Sequence, residues 1–133
     1  MAATDLLRKS AVFSRFDDDA IEQLSDRFTE VEVPANQVLI EPRTPGAGLF
    51  VICDGTVLVE AHEREWELGA GEVVGEISLL EPHGMRRARV IAKTPVRCLA
   101  LSRSEFDRLC EELPELETAV RELAAKRLPE LER

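Results

Sequence analysis

A series of short strand-like segments between residues 28 and 101 constrains the fold more than any other feature of this chain. Each segment is apolar or alternates apolar and polar residues, and glycine, proline, asparagine or aspartate separates most of them. Several short strands at such spacing are typical of a β-sandwich or a β-barrel. The expected strands are 29–33, 38–41, 49–53, 56–61, 65–68, 89–92 and 96–101.

Helical patterns precede this region. Residues 4–16 fit a short helix followed by a loop, and Asp17 is placed to cap a second helix that ends near Arg27. The acids after Asp17 would lie in the first turn, where the helix dipole favours negative charge. We therefore interpret the run Asp17-Asp18-Asp19 as a helix start rather than a metal site.

Two further helices are expected after the strands. The run Ser102-Arg103-Ser104-Glu105 fits a capping box, and Pro114 fits the first position of the next helix. Pro129 disfavours helix at the preceding residue, so we expect a last helix of about 14 residues. The apolar stripe on that helix can pack against the domain's own core or form a dimer seam, and the first is the more common arrangement. The stripe comprises Leu113, Leu116, Val120 and Leu123.

Length and charge exclude several classes of function. The chain has 133 residues and a formal net charge of −9, which repels nucleic acid and anionic lipid at long range. We expect one domain over 1–133, with a β-roll at 28–101 and C-terminal helices at 102–128. No apolar run approaches the roughly 20 residues of a bilayer span, and no secretory signal is visible. The expected location is cytoplasmic, without membrane or nucleic-acid partners.

Cysteines and histidines give no support for a metal centre or an enzyme. The three cysteines are widely spaced and fit no zinc pattern, so buried reduced thiols are expected. The two histidines, His62 and His83, are too few and too far apart in sequence for the clustered ligands of a cupin metal site. No Ser–His–Asp or Cys–His arrangement is visible. We expect no catalytic residue, no metal and no cofactor.

One segment carries a recognisable anion-binding chemistry. Gly75 would let the backbone approach a ligand closely, and the N–H groups of Ile77 and Ser78 would be free to donate at the start of a helical turn. Such amides bind anions, with help from the positive end of the helix dipole. Arg86, which follows after a loop, could pair with the same anion.

Glu76 makes the expected anion more specific. An unpaired carboxylate would oppose the binding of a phosphate group beside it. It becomes useful if it accepts a hydrogen bond from a sugar hydroxyl next to that phosphate. The combination therefore indicates a ribose phosphate rather than free phosphate or sulfate.

These residues resemble a known family. The run from Gly75 to Leu80, followed by the run from Arg86 to Val90, is similar to the phosphate-binding cassette of cyclic-nucleotide-binding domains. Its loop length is most similar to that of catabolite activator and Crp/Fnr-type proteins, and the resemblance extends over roughly residues 5–128. Upstream strands and turns also match: Val38-Leu39-Ile40, Pro45-Gly46, Leu49-Phe50-Val51-Ile52, Gly55, Val57, and Leu68 to Glu72.

The resemblance implies a fold and a set of roles. The fold would be mainly β with flanking helices, an antiparallel β jelly roll (double-stranded β-helix) with N-terminal helices and two C-terminal helices. The ligand would be cAMP or cGMP. Glu76 would match the carboxylate that bonds the ribose 2′-hydroxyl, and Arg86 the arginine that pairs with the cyclic phosphate. Gly75, Ile77 and Ser78 would supply backbone contacts, and the last helix would form a lid over the base or a dimer seam.

Arg87 departs from the family pattern, in which Ser, Thr or Ala commonly follows the phosphate arginine. Arg87 would either act as a second cation beside the phosphate or crowd the edge of the pocket. The missing hydroxyl at this position favours cAMP over cGMP as the expected ligand.

The resemblance leaves three functions open. We expect a stand-alone cyclic nucleotide sensor that acts on an unknown effector protein, with a homodimer through the C-terminal helix as one arrangement. Alternatively, Arg86 pairs with Glu76 internally, and a degenerate domain acts as a protein-interaction module without ligand. The chain could also be the sensory fragment of a larger Crp-type regulator, channel or transporter. DNA binding by this chain alone is not expected, since no recognition helix fits before Arg133.

Overall fold

Two four-stranded antiparallel sheets form the centre of the structure, a computed structural model that describes residues 3–10, 12–40, 48–61, 63–76 and 88–131. One sheet has the order β1-β8-β3-β6 and the other has the order β2-β7-β4-β5. The strands within the described ranges are β1 (Thr29–Val33), β2 (Val38–Ile40), β3 (Gly48–Asp54), β4 (Val57–Ala61), β5 (Arg64–Leu68), β6 (Val73–Val74), β7 (Arg89–Ala92) and β8 (Val96–Ser102).

The strand pairing is that of a jelly roll. β1 pairs with β8, β2 with β7, β3 with β6 and β4 with β5, as in a long hairpin that has been rolled up. The inward-facing residues of both sheets meet in one apolar cluster between them, and this burial fixes the register of the strands. The expected mainly-β antiparallel jelly roll is thus confirmed. The buried residues of this cluster are Val33, Ile40, Ile52, Val57, Val59, Val74, Val90, Ala92, Val96 and Cys98.

All the expected strands are present, with ends that differ by at most one residue. β6 was not expected from the sequence, because two consecutive valines are too short a run to show an alternating pattern. This strand nevertheless leads directly into the Gly75-Glu76 pair. Residue 41, the expected end of the second strand, lies outside the described residues.

Four helices flank the sheets in the described part of the chain: α1 (Ala3–Arg8), α2 (Asp18–Arg27), α3 (Arg103–Glu112) and α4 (Pro114–Leu131). Asp17 caps α2, since its Oδ1 accepts a hydrogen bond from the Ala20 N–H at 2.8 Å. Ser102 caps α3 in the same way, since its hydroxyl accepts from the Glu105 N–H at 3.2 Å. Both caps were predicted from the sequence. The Glu105 carboxylate also pairs with Arg27 at 3.0 Å, which ties α3 to α2.

The predicted length of the last helix was wrong. α4 begins at Pro114 as expected, but it continues through Pro129 to Leu131 and has 18 residues. A proline in a helix interior costs about 3 kcal/mol, because it removes an N–H donor and clashes with a carbonyl one turn earlier. α4 nevertheless continues two residues past Pro129, so its last turn carries this cost.

The helices pack on the outer face of the β1-β8-β3-β6 sheet and form a second core. Phe13 is fully buried in it. Its ring is edge-on to the rings of Phe16 and Phe28, with distances between ring centroids of 6.1 Å and 5.9 Å. Leu116 and Val120 of α4 are also fully buried in this cluster. The apolar stripe of α4 therefore packs against the domain's own core.

This packing predicts a stability effect. We expect Leu116→Ala to lower the free energy of unfolding by about 2–5 kcal/mol, because it leaves a cavity in the core. Leu123→Ala truncates a partly buried residue of the same helix, so it should lower the free energy of unfolding by less. Urea unfolding at several protein concentrations measures both. A loss that shrank as the protein was diluted would indicate a dimer seam instead, because dimer formation stabilises the wild type only at high concentration.

Burial also affects the thiols, which are free in the structure. Burial raises the pKa of Cys98 from 9.0 to about 11, with a smaller contribution from the neighbouring Cys53. The unfolded chain therefore loses this proton at a lower pH than the folded chain does. The resulting stabilisation is complete below pH 9 and declines as the pH rises toward about 11.

We therefore expect the free energy of unfolding of the wild type to fall between pH 9 and pH 11 more steeply than that of Cys98→Ala. Urea unfolding of both proteins across this range measures the difference. Parallel curves would show that the Cys98 thiol does not titrate abnormally.

Candidate functional site

Strand β6 fixes the position of the candidate site. It pairs with β3, with Val74 opposite Phe50 and Val73 opposite Val51. The chain just before β6 is held to the same strand, since the Ile52 N–H donates to the Glu72 carbonyl at 2.8 Å. Both valines are buried. The residues that follow β6 therefore start from a rigid edge of the jelly roll.

Gly75 turns the chain out of β6. Its φ of +88° lies in the left-handed region, which glycine adopts without the steric cost that a Cβ atom would bring. Glu76 follows at once in helical conformation. The glycine is therefore required by the backbone itself, while its close approach to a ligand stays a prediction.

Glu76 is buried, with 3% of its surface exposed. Burial of a carboxylate costs several kcal/mol unless the charge is paired and hydrogen-bonded. Among the described residues its partner is Arg127 of α4, whose Nη1 lies 3.0 Å from Oε1 of Glu76. The internal ion pair considered from the sequence was between Glu76 and Arg86, and it stays a prediction because Arg86 lies outside the described residues.

Arg127 contacts two further acceptors beside β6. Its Nη1 also donates to the backbone carbonyl of Val73, and its Nη2 lies 3.0 Å from Oε2 of Glu72. The Arg127 side chain is 21% exposed and that of Glu72 is 49% exposed. One guanidinium thus joins both ends of β6 to α4.

Among the described residues, the charges around Arg127 do not balance. Glu72 and Glu76 bring two negative charges to a single guanidinium, so the three side chains together carry a net negative charge. Such a group can accept hydrogen bonds from neutral hydroxyls. It cannot attract an anion, so phosphate binding requires further cations. The sequence supplies them at Arg86 and Arg87.

α4 passes over the end of the second sheet before it reaches Glu76. Ala124 is buried against Ala61 at the end of β4, and partly buried Trp66 and Ala88 pack around this contact. Arg127 lies three residues further on and therefore on the same face of the helix. The helix thus lies beside the segment where the candidate residues of the cassette begin and near the start of β7.

The sequence analysis did not identify Arg127, although its position on α4 gave a signal. It continues the apolar stripe of α4 at helical spacing after Val120 and Ala124, and a cation in such a stripe needs an internal acceptor. The sequence does not say which carboxylate that acceptor is. The stripe alone would have marked Arg127 as a buried or half-buried residue.

Of the predicted site residues, the structure describes Gly75 and Glu76. The other four, Ile77, Ser78, Arg86 and Arg87, lie outside the described residues, as do His62 and His83. Among the residues that are described, no group of three or more His, Cys, Asp or Glu could hold a metal ion. Nor does any described helix have the length and apolarity of a membrane span.

The sequence pattern of the cyclic nucleotide-binding domain matches residues 30–113, most of the chain. The chain belongs to this family. The matched part of this cyclic nucleotide-binding domain includes all six predicted site residues and ends just before α4 begins. Arg127 therefore lies outside the matched part, while its acceptors lie inside it.

Individual proteins support the assignment. The chain is 37% identical over 97 residues to a cyclic nucleotide-gated potassium channel of Mesorhizobium japonicum. This match covers 71% of this chain and 26% of the channel. Among solved structures, the N-terminal domain of a transcriptional regulator from Streptomyces coelicolor is 32% identical, with a TM-score of 0.74 over 95% of this chain and 94% of that one. The Thermus thermophilus catabolite activator protein is 27% identical, with a TM-score of 0.81 over 92% of this chain and 60% of that one. The resemblance to the sensor domain of Crp-type proteins is confirmed.

The burial of Glu76 predicts a stability effect for its partner. We expect Arg127→Gln to lower the free energy of unfolding by about 1–3 kcal/mol, because it removes the charge that pairs with a buried carboxylate. Urea unfolding at pH 7 measures this.

Arg121→Gln is the matched control, since Arg121 lies on the same helix and pairs with Glu117 on the surface at 3.4 Å. Its loss should change the free energy of unfolding by about 0.5 kcal/mol or less. Equal effects of the two substitutions would show that the Glu76–Arg127 pair contributes no more than a surface pair.

Proposed function

We propose that this cyclic nucleotide-binding domain is a sensor that binds a cyclic nucleotide, cAMP in preference to cGMP, and regulates a partner protein. The observation that carries the proposal is Glu76, a buried carboxylate held by a left-handed glycine at the end of β6. It lies within the part of the chain that matches the family. A carboxylate at a fixed, sheltered position is suited to read a sugar hydroxyl.

The ribose is the part of the ligand that Glu76 would recognise. Its carboxylate would accept a hydrogen bond from the 2′-hydroxyl, which is a neutral donor. An anionic group would be repelled at Glu76, because the two carboxylates of Glu72 and Glu76 face a single positive charge on Arg127. This favours a ligand that places a hydroxyl at Glu76 and its phosphate elsewhere.

The phosphate would be held by the residues between Gly75 and β7. The backbone amides of Ile77 and Ser78 would donate to it, and Arg86 would pair with it. Each charge-assisted hydrogen bond of this kind contributes about 1.5–3 kcal/mol. Arg87 would add a second cation, which an acidic protein with a net charge of −9 needs to attract an anion.

The base preference rests on position 87. A hydroxyl side chain after the phosphate arginine would give guanine an additional hydrogen-bonding partner, and this chain has Arg87 instead. We therefore propose cAMP as the better ligand. We further propose that the domain binds without catalysing a reaction, since neither histidine stands in a nucleophile or metal motif.

One observation favours a second function. Oε1 of Glu76 already accepts a hydrogen bond from Arg127, so the carboxylate is satisfied within the protein. In a degenerate domain, this ion pair would be permanent and the pocket would bind no nucleotide. The domain would then act only through protein contacts.

Isothermal titration calorimetry with cAMP and cGMP separates the two functions. We expect the wild type to bind cAMP more tightly than cGMP, and we expect Arg86→Gln and Glu76→Gln each to weaken cAMP binding by about 10-fold or more. Arg89→Gln is the control: it removes an exposed arginine of β7 near Arg86 in sequence and should leave the affinity within about 2-fold.

Absence of heat with both nucleotides at millimolar concentration, in protein shown to be folded by circular dichroism, would favour the ligand-free module. Tight cAMP binding that survives both substitutions would contradict the roles given to Arg86 and Glu76.

A further inference from the structure

We propose that the outer face of the β2-β7-β4-β5 sheet is a docking face for a basic segment of a partner protein, in which apolar side chains are flanked by Lys or Arg. The docking face is formed by Val38, Leu58 and Ile91, with Glu60 and Glu65 beside them. It is a property of the folded domain with or without nucleotide. Only the identity of its occupant as the regulated partner rests on the function proposed above.

Strand alternation directs the apolar side chains of the docking face away from the core. Val57 and Val59 of β4 are buried between the two sheets, so Leu58 points to the opposite side. Leu58 lies opposite Ile91 of β7, and Ile91 lies opposite Val38 of β2. The three side chains thus form one aliphatic row across three neighbouring strands, and all three are partly exposed.

No helix in the described part of the chain covers this row. The helices form their apolar core on the outer face of the other sheet. α4 also reaches the β2-β7-β4-β5 sheet, but it meets Ala61, which shares the inner face of β4 with Val57 and Val59. None of the three side chains of the row belongs to a buried core cluster. A contiguous apolar row on an open face is more typical of a contact surface than of a solvated one.

A groove of about 480 Å³ lies on the docking face. Leu58 and Ile91 supply apolar lining, and Asn36, Glu67 and Lys93 supply polar lining. Pockets of roughly 300–1,000 Å³ enclose drug-sized ligands, so this groove can receive a few large side chains. Glu67 and Lys93 pair with each other at 3.1 Å, and both are more than half exposed. Such a pair contributes little to stability and can open for a partner.

Two carboxylates on the docking face determine the charge of the partner. Glu65 of β5 lies directly opposite Glu60 of β4, on the same face of the sheet. Like charges in this arrangement repel each other and destabilise the strand pair. On its other side Glu60 lies opposite Arg89 of β7, which is one strand further from Glu65. A Lys or Arg of a partner placed beside Glu65 would therefore relieve the repulsion.

The nearby cations do not offset the charge of Glu65. Arg64 precedes it in sequence but lies on the opposite face of β5, where its guanidinium is 5.9 Å from the ring centroid of Trp66. Lys93 is paired with Glu67. Among the described side chains of the docking face, Glu65 is thus the carboxylate in excess.

The same charges disfavour a second copy of this chain as the occupant. Two copies that met through the docking face would bring their Glu60 and Glu65 carboxylates together, and each chain carries a net charge of −9. A basic segment is instead attracted by that charge at long range. Its apolar side chains would then enter the groove over Leu58 and Ile91, where burial supplies the affinity.

Selection from a library of random short peptides displayed on phage tests the docking face without knowledge of the partner. We expect the wild-type domain to enrich peptides in which large apolar residues are flanked by Lys or Arg. No enrichment, or enrichment of acidic peptides, would overturn the proposal.

Fluorescence anisotropy of the selected peptides then locates their site. Leu58→Thr with Ile91→Thr keeps the strand propensity and removes the apolar lining, so we expect binding to weaken by about 10-fold or more. Glu65→Lys should weaken it about 3- to 10-fold. Glu111→Lys is the matched control, since it makes the same change of charge on α3, which packs against the other sheet, and it should stay within about 2-fold. Equal binding to Glu65→Lys and to the wild type would refute the basic partner.

Glu65→Lys has a second readout that separates docking from a structural role. The substitution replaces repulsion of Glu60 by attraction, so the midpoint of urea unfolding should rise while peptide binding weakens. A variant that lost both stability and peptide binding would show that Glu65 supports the fold, and the charge argument would fail.

Sedimentation equilibrium of the wild type tests a second copy as the occupant. A dimer that Leu58→Thr with Ile91→Thr dissociated would overturn the proposal, because the chain itself would then cover the docking face. Calorimetry with cAMP decides the nucleotide function separately. A domain that bound the selected peptides at this face but bound no nucleotide would keep the docking face and lose the proposed sensor role.

Discussion

The buried carboxylate of Glu76 is the constraint on which the rest of the site depends. With 3% exposure it must find donors inside the protein, and it finds Arg127, which is 51 residues away in the chain. This pair joins the edge of the jelly roll to the last helix. The last helix and the proposed ligand site therefore meet at the same carboxylate.

The jelly roll and the last helix have complementary mechanical roles. β6 is paired to β3 and carries buried valines, so the turn at Gly75 starts from a rigid base. α4 is anchored in the helical core by Leu116, Ala119 and Val120, with Leu123 partly buried against the same core, and Arg127 joins it to Glu76. A ligand that acts at Glu76 thus meets a paired strand on one side and a packed helix on the other. This arrangement suits a module that reports occupancy to a partner.

Much of the fold could be predicted from the sequence, because its signals are local. The strands follow from alternation and turn residues, and the caps at Asp17 and Ser102 follow from residue type and spacing. β6 was missed because two residues give no periodicity, and the end of α4 was misplaced because the helix continues two residues past Pro129 despite the cost of a proline. Arg127 was missed for a different reason: a cation in an apolar stripe implies an acceptor but does not identify it. The roles of Ile77, Ser78, Arg86 and Arg87 rest on family resemblance and lie outside the described residues.

A crystal structure of the protein grown with cAMP tests the central claim most directly, since the claim is that the Glu76 carboxylate reads the ribose. The account predicts the ribose 2′-hydroxyl within hydrogen-bonding distance of Glu76. A bound cAMP with its ribose directed away from Glu76 would contradict it.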